Sequence, residues 1–378
     1  MILVRSLQRG GAERQVVMLA RSLRDAGVDV CVVVFYDGGA FERELHEAQI
    51  RLISLGKVGR WDLAPFALKL LDVMRKERPD VLYGFMSTPN LLAVTLRPLL
   101  PDACLVWGIR SSRGVDTDYD WLARWLTRLE SRCARLPDLV IANSQAGAND
   151  LLRRSFPRDK IVIVPNGIDV DLYQFDQEGR DRVRREWHVQ PDEILMGIVA
   201  RADPVKAHGI FLEAAAVLCK QRSNLRFVCV GVGDELAAIR MRNHASELGI
   251  GDRLLVEGPR DSLASAYSAI DVLVMCSNSE GFPNVVAEAM ACGTPCVVTA
   301  VGDAVDIVGD TGMHARPGDP EGIANAILAM IERLAVERRS EIRERVRARI
   351  AERFSLAQLA RTTLAAFQPA LRARKQPA

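Results

Sequence analysis

The 378-residue chain has no C-x-x-C pair and no G-x-G-x-x-G fingerprint. It also has no apolar run approaching the ~18 residues that would suggest a membrane-spanning helix. Each absence excludes something. The eight cysteines, Cys31, Cys104, Cys133, Cys219, Cys229, Cys276, Cys292 and Cys296, are scattered, most of them in apolar runs such as "VDVCVVVF" and "RFVCVGVG". Buried thiols sit in such places; a disulfide framework does not, and a reducing cytoplasm is the expected compartment. With no signal peptide either, the protein is expected to be cytoplasmic, at most lying on a membrane surface. The five histidines lack ligand spacing, and no metal site is expected from them. The glycine stretches "QRGGAER" and "GVGDEL" both fall short of the dinucleotide pattern, so an oxidoreductase is only a distant alternative, despite Asp37 after the second apolar run.

A strong charge of either sign is also missing. The net charge is +2, which gives no support for a nucleic-acid partner. Residues 1–165 hold 24 Lys and Arg against 19 Asp and Glu, and the remainder 26 against 29. The basic first half suits an anionic partner or membrane surface, although scattered solvated arginines give the same count.

What is present is an alternation. Short β-branched runs, "MILVRSL" (1–7), "DVCVVVFY" (29–36), "DVLYGF" (80–85), "CLVWGIR" (104–110), "DLVIANS" (138–144) and "KIVIVPNG" (160–167), alternate with amphipathic ones. A polar stretch, 169–193, reads as a connector with a short helix. The pattern then restarts with "ILMGIVAR" (194–201), "LRFVCVGVG" (225–233), "RLLVEG" (253–258), "DVLVMCS" (271–277) and "PCVVTA" (295–300). Near-continuous apolar strands separated by helices, twice over, predict two Rossmann-like, doubly wound α/β domains with parallel sheets. The expected boundaries are 1–168, a linker at 169–193, 194–352, and a helical tail at 353–378. One long Arg/Glu-rich helix is expected near 333–353, and the final "LRARKQPA" is expected to fray. Ligands of such sheets bind beyond the carboxyl ends of the strands, so the cleft between the domains is the expected site.

The stretch "NSEGFPNVVAEAMACGTPCVV" (278–298) places Glu280 and Glu288 on either side of a turn that opens a helix. Pro283 suits the first helical turn, and the N–H groups of that turn favour an anion such as a diphosphate. Two carboxylates beside a diphosphate must face something else, and vicinal sugar or ribose hydroxyls are suitable.

This constellation closely resembles the E-x7-E motif of retaining glycosyltransferases of the GT-B fold, glycosyltransferase family 4. Other landmarks of that family appear in order: "GGAER" (10–14), "VPNGID" (164–169), "VARADPVKAHGIFLEAA" (199–215) and "GVGDE" (231–235). The resemblance spans essentially the whole chain. It implies a C-terminal helix that crosses back to the first domain. It also implies transfer of a sugar from a nucleotide diphosphate donor, with uracil the favoured base, to a glycan or lipid-linked glycan acceptor. No cofactor and no metal are implied. By the resemblance, Arg201 and Lys206 hold the donor diphosphate, Glu288 the nucleotide ribose and Glu280 the donor sugar. The backbone around Gly281, Phe282, Pro283 and Asn284 meets the sugar or phosphate. Gly11 approaches the phosphates or acceptor, and Gly231 and Gly233 line the nucleotide. A GT-B protein that binds a nucleotide sugar without turnover is the alternative.

Many family members carry a histidine in the loop that here reads "VWGIRSSRGVDTDYD", and this chain has none there. Arg110 and Arg113 are the acceptor-side candidates in its place, as anion binders and not as bases. "DTDYD" (116–120) is read as an exposed turn or acceptor contact in preference to a metal site. His208 is expected at the cleft edge or capping a helix. The segment "WLARWLTRLESRCARL" (121–136) sets Trp121, Leu122, Trp125, Leu126 and Leu129 on one face, ringed by arginines. It is read as packing under the first sheet, with an anionic membrane surface as the other reading.

Overall fold

The computed structural model describes residues 1–8, 10–59, 62–110 and 121–375. Two compact units emerge: one is Met1–Gly167 with Leu356–Ala378, the other Ile168–Ser355.

In the first unit seven strands form one sheet: β1 (Ile2–Val4), β2 (Cys31–Val34), β3 (Arg51–Ser54), β4 (Val81–Phe85), β5 (Cys104–Ile109), β6 (Leu139–Ala142) and β7 (Ile161–Ile163). Their spatial order is β3-β2-β1-β4-β5-β6-β7, and every pairing is parallel. The second unit repeats the plan with β8 (Ile194–Val199), β9 (Leu225–Val230), β10 (Leu254–Glu257), β11 (Val272–Met275), β12 (Cys296–Thr299) and β13 (Met313–Ala315). Their order is β10-β9-β8-β11-β12-β13, again all parallel. The two doubly wound α/β units match the predicted class. In each, the direction of winding reverses between the first and fourth strands, and ligands of such sheets bind beyond the carboxyl ends of the strands at that point.

The sheets are continuous apolar layers because both faces are covered. Every residue of β2, β5, β6, β11 and β12 is buried. The edge strands β3 and β13 are only partly buried, and neither stands out from its sequence. The Arg/Glu-rich tail is two helices, Pro320–Val336 and Arg339–Phe354. The last helix, Leu356–Lys375, packs Leu359, Ala366 and Phe367 into the core of the first unit beside Val16 and Leu19. It is helical nearly to its end, where Arg374 binds Asp138 at 2.9 Å and the Pro101 carbonyl at 2.8 Å. The expected fraying is therefore absent through Lys375. A cavity of about 510 Å3 in the first unit opens at the amino-terminal ends of its strands, beside Leu23, Val30, Tyr83 and Phe367. It touches none of the motifs. No helix among the described residues is long and apolar enough to cross a membrane.

The segment expected to be a linker, 169–193, is instead built into the second unit. Tyr173, Val183 and Trp187 join its core. The Gln177–Glu186 helix sends Arg180 and Arg184 to the buried Asp271, at 2.8 and 3.0 Å, and Arg339 reaches the same carboxylate at 3.1 Å. The Leu195 N–H also binds it, at 2.9 Å. Burial pushes the Asp271 pKa up, but Arg180 and Arg184 outweigh burial and leave it below the usual carboxylate value. One acid thus ties the connector, the start of β8, the start of β11 and the tail to one another.

Asp271→Ala leaves buried guanidinium groups without their anion and is expected to cost about 3–5 kcal/mol in chemical denaturation. Because the folded-state pKa is depressed, the stability that Asp271 contributes is present above its unfolded value of about 3.9. It is lost as pH falls through the folded pKa, so the variant is expected to show a shallower acid dependence than wild type.

Candidate active site

The site in the second unit is set by the pairing of β8 with β11, in which Met196 lies opposite Val272 and Gly197 opposite Leu273. The two strands deliver their following loops side by side, and Asn278 N–H donates to the Val205 carbonyl at 2.8 Å to join them.

The β8 loop carries the two basic candidates. Arg201 is exposed and, among the described residues, has no ion-pair partner. The chain then makes a short turn, Pro204–Lys206, started by Asp203, whose side chain accepts from Val205 N–H at 2.9 Å. Ala207 follows at φ 52°, a left-handed conformation costly for a residue with a Cβ, of the kind that collects at functional loops. It brings Lys206 round before the His208–Cys219 helix. Lys206 Nζ lies 2.6 Å from Glu280 Oε1, so the acid expected at the sugar and one cation expected at the diphosphate are paired with each other. His208, expected at the cleft edge or capping a helix, is the buried first residue of that helix, whose cap is Ala207; burial lowers its pKa, and its Nε2 has no hydrogen-bond partner among the described residues.

The β11 loop carries the acids. Glu280 Oε1 also accepts from Ser277 Oγ at 2.7 Å, and the Ser277 carbonyl accepts from Thr299 Oγ1 at 2.7 Å. Gly302, at φ +56°, backs the loop so closely that a Cβ there would lie 2.5 Å from the carbonyl oxygens of Glu280 and Gly281. The helix begins at Asn284, with Pro283 as its cap and not within its first turn. The Phe282 ring is turned away into the core, edge-on to Phe354 at 5.4 Å, so only its backbone is available to a ligand. Glu288 is 7% exposed and accepts from the Tyr267 hydroxyl at 2.8 Å. Burial, followed by the neighbouring Glu288 charge, raises the Tyr267 pKa far above the ordinary phenol value, so the hydroxyl stays a donor. On the β9 side, Gly231 has φ +97° and a Cβ there would meet the Ala200 carbonyl at 3.0 Å. A Cβ added at Gly233 would make only an ordinary contact with Pro259.

In the first unit, taken by itself, Gly11 is exposed at the start of the Gly11–Asp25 helix. Further along that helix, Gln15 clamps Gly167 by two bonds, 3.0 Å to its carbonyl and 3.1 Å from its N–H. Arg110, the acceptor-side candidate, is partly exposed and already engaged within the first unit. Its guanidinium donates to Asn166 Oδ1 at 2.9 Å and to the Tyr83 hydroxyl at 3.1 Å, and stacks 4.5 Å from the centre of the Phe85 ring. Arg113 and the "DTDYD" segment lie outside the described residues. So do the side chains of Trp121 and Leu122. Of the Trp121–Arg132 helix, Trp125 is 51% exposed, which corrects for that residue the expectation of packing under the sheet. Among the described residues, no group of three or more His, Cys, Asp or Glu is placed to hold a metal ion.

The sequence did not single out Ser277, Tyr267, Thr299 or Gly302. Ser277 lies three residues before Glu280, at the end of "DVLVMCS" and one position ahead of the 278–298 stretch; Tyr267 sits in "LASAYSAID", which carries no motif.

Two family models match the chain: one described as Glycosyltransferase Family 4 over residues 9–172, the other as Glycosyl transferases group 1 over 193–333. The chain is a GT-B glycosyltransferase of the family 4 type. This glycosyltransferase is 25% identical over 312 residues to N-acetyl-alpha-D-glucosaminyl L-malate synthase of Bacillus anthracis, covering 82% of this chain and 79% of the relative. It is 28% identical over 352 residues to D-inositol 3-phosphate glycosyltransferase of Nocardiopsis dassonvillei, covering 85% and 81%. Among solved structures, Anabaena HepE in complex with UDP superimposes with a TM-score of 0.83 at 22% identity, covering 97% of this chain and 99% of that one. At that identity the likeness shows the fold.

Tyr267→Phe removes a donor from a buried carboxylate and is expected to lower the stability of this glycosyltransferase by about 1–3 kcal/mol in urea denaturation. An unchanged midpoint would mean that Glu288 does not depend on that hydroxyl.

Proposed function

We propose that this glycosyltransferase moves a hexosyl or N-acetylhexosaminyl group from a UDP-sugar to an acceptor hydroxyl with retention of anomeric configuration. The setting is surface polysaccharide or glycolipid synthesis on the cytoplasmic side. One observation carries the reading: Arg201, Lys206, Glu280 and the amino end of the Asn284–Ala291 helix share the adjoining loops of β8 and β11. Support for uracil comes from the solved Anabaena neighbour, described with UDP, with UDP and glucose, and with UDP-glucose. Curated relatives are named for malate and inositol phosphate acceptors, so the acceptor class here rests on the sequence reading.

In the reaction the bond from the sugar C1 to the diphosphate oxygen breaks, and its electron pair stays on the diphosphate. The acceptor oxygen bonds to C1 from the same face, and its proton passes to a departing phosphate oxygen. No protein base is required, which suits a chain without the family's loop histidine. Arg201 and Lys206 stabilise the charge that grows on the diphosphate, assisted by the helix N–H groups. Glu288, held by Tyr267, accepts from the ribose hydroxyls, and Glu280 from the sugar. Binding of the nucleotide positions C1 against the acceptor. Peripheral contact with an anionic membrane fits the exposed Trp125 next to the exposed Arg124 and Arg128.

Lys206→Ala and Arg201→Ala are each expected to keep the fold and lower kcat/KM for transfer by a factor equivalent to ~2–4 kcal/mol. Release of nucleoside diphosphate in the presence of acceptor is the assay, and near wild-type rates would remove the phosphate assignment. Transfer is expected to persist in EDTA, since two cations and a helix terminus do the work of a metal. Loss of activity restored by Mg2+ or Mn2+ would overturn metal independence.

A further inference from the structure

Lys206 and Glu280 are bonded to each other in the structure, yet the proposed reaction asks them to hold different parts of the donor. Their 2.6 Å contact is partly withdrawn from water, with the side chains 28% and 12% exposed. It is also held in place. Ser277, 1% exposed, fixes the same carboxylate oxygen at 2.7 Å, and Thr299 fixes Ser277 from β12. The Asn278–Val205 bond prevents the two loops from drifting apart. Groups from the ends of β8, β11 and β12 therefore press the Glu280 carboxylate onto the Lys206 ammonium.

We infer that Glu280 competes internally with the diphosphate for Lys206, and that an attached donor sugar relieves this competition. The inference rests on the reading of Lys206 as a diphosphate ligand. An intact donor brings sugar hydroxyls that satisfy Glu280, so its carboxylate can leave the ammonium and Lys206 can turn to the phosphates. After transfer the sugar belongs to the acceptor. The bare nucleoside diphosphate then offers Glu280 nothing in exchange, and the carboxylate returns to Lys206 and loosens the product. The same ion pair thereby favours substrate over product and hastens release, a step that often limits turnover. Ser277 acts as a positioning residue, keeping the carboxylate oxygen within reach of the ammonium.

The test is calorimetric titration with UDP, and with GDP in parallel, on wild type, Glu280→Gln, Lys206→Ala and the double variant, each checked for folding by thermal unfolding. Glu280→Gln is expected to bind the nucleotide about fivefold more tightly than wild type, the scale of one part-exposed ion pair. The double variant is expected to bind no more tightly than Lys206→Ala alone, because the competition acts through that ammonium. Ser277→Ala is expected to tighten binding in the same direction by a smaller factor. Equal or weaker binding by Glu280→Gln overturns the inference. So does tightening that persists without Lys206, which would report only the removal of a negative charge. If Lys206→Ala leaves wild-type nucleotide affinity intact, the phosphate assignment itself fails and the inference falls with it.

Discussion

The parallel pairing of β8 with β11 is the constraint on which the site depends. These strands are distant in sequence and adjacent in space, at the point where the second sheet changes its direction of winding. Hydrogen bonds between strands fix their spacing to a few tenths of an ångström, so the loops that leave them inherit that precision. A lysine from one loop and a glutamate from the other can then meet at 2.6 Å without either side chain reaching far. The rigid positions sit behind the reactive ones. Gly302 admits the Glu280 loop only because it has no Cβ, and Gly231 does the same for the end of β8.

Local sequence signals carried most of the architecture. The buried strands were legible because parallel strands covered on both faces are apolar without interruption, and the acids at 280 and 288 were legible because glycine, proline and a helix lie between them. The edge strands β3 and β13 were not, because Arg51 and His314 interrupt short, half-exposed runs. The partners of the site residues were hidden for a different reason. Tyr267 and Glu288, or Ser277 and Thr299, meet across more than twenty residues, and no periodicity in the sequence encodes such a pair. Arg110 hid its partners in the same way. A guanidinium after a strand in the first unit looks free in sequence, but Asn166 and Tyr83 engage its terminal nitrogens and Phe85 lies against its face.

The same limit explains the connector. Residues 169–193 are rich in charge, and charge in sequence reads as solvent. Here the arginines converge on Asp271, an acid that would be untenable in the interior without them. Composition alone cannot distinguish a solvated arginine from one that neutralises a buried carboxylate, because the difference lies in the partner. Tyr173 and Trp187, the residues that anchor the segment, were the apolar clue within that polar background.

The division of the chain into units has a consequence for biosynthesis. The second unit, Ile168–Ser355, is one uninterrupted stretch, whereas the first is assembled from two pieces of chain on either side of it. The late piece brings Leu359 and Phe367 into the core of the first unit, and Leu359 closes over Gly167 where any added Cβ would lie 2.7 Å from it. Synthesis from the amino end ordinarily lets the leading domain fold first. Here the leading sheet emerges from the ribosome with part of its apolar surface bare. It must wait in that condition while all of the second unit is made, and only the closing helix covers it.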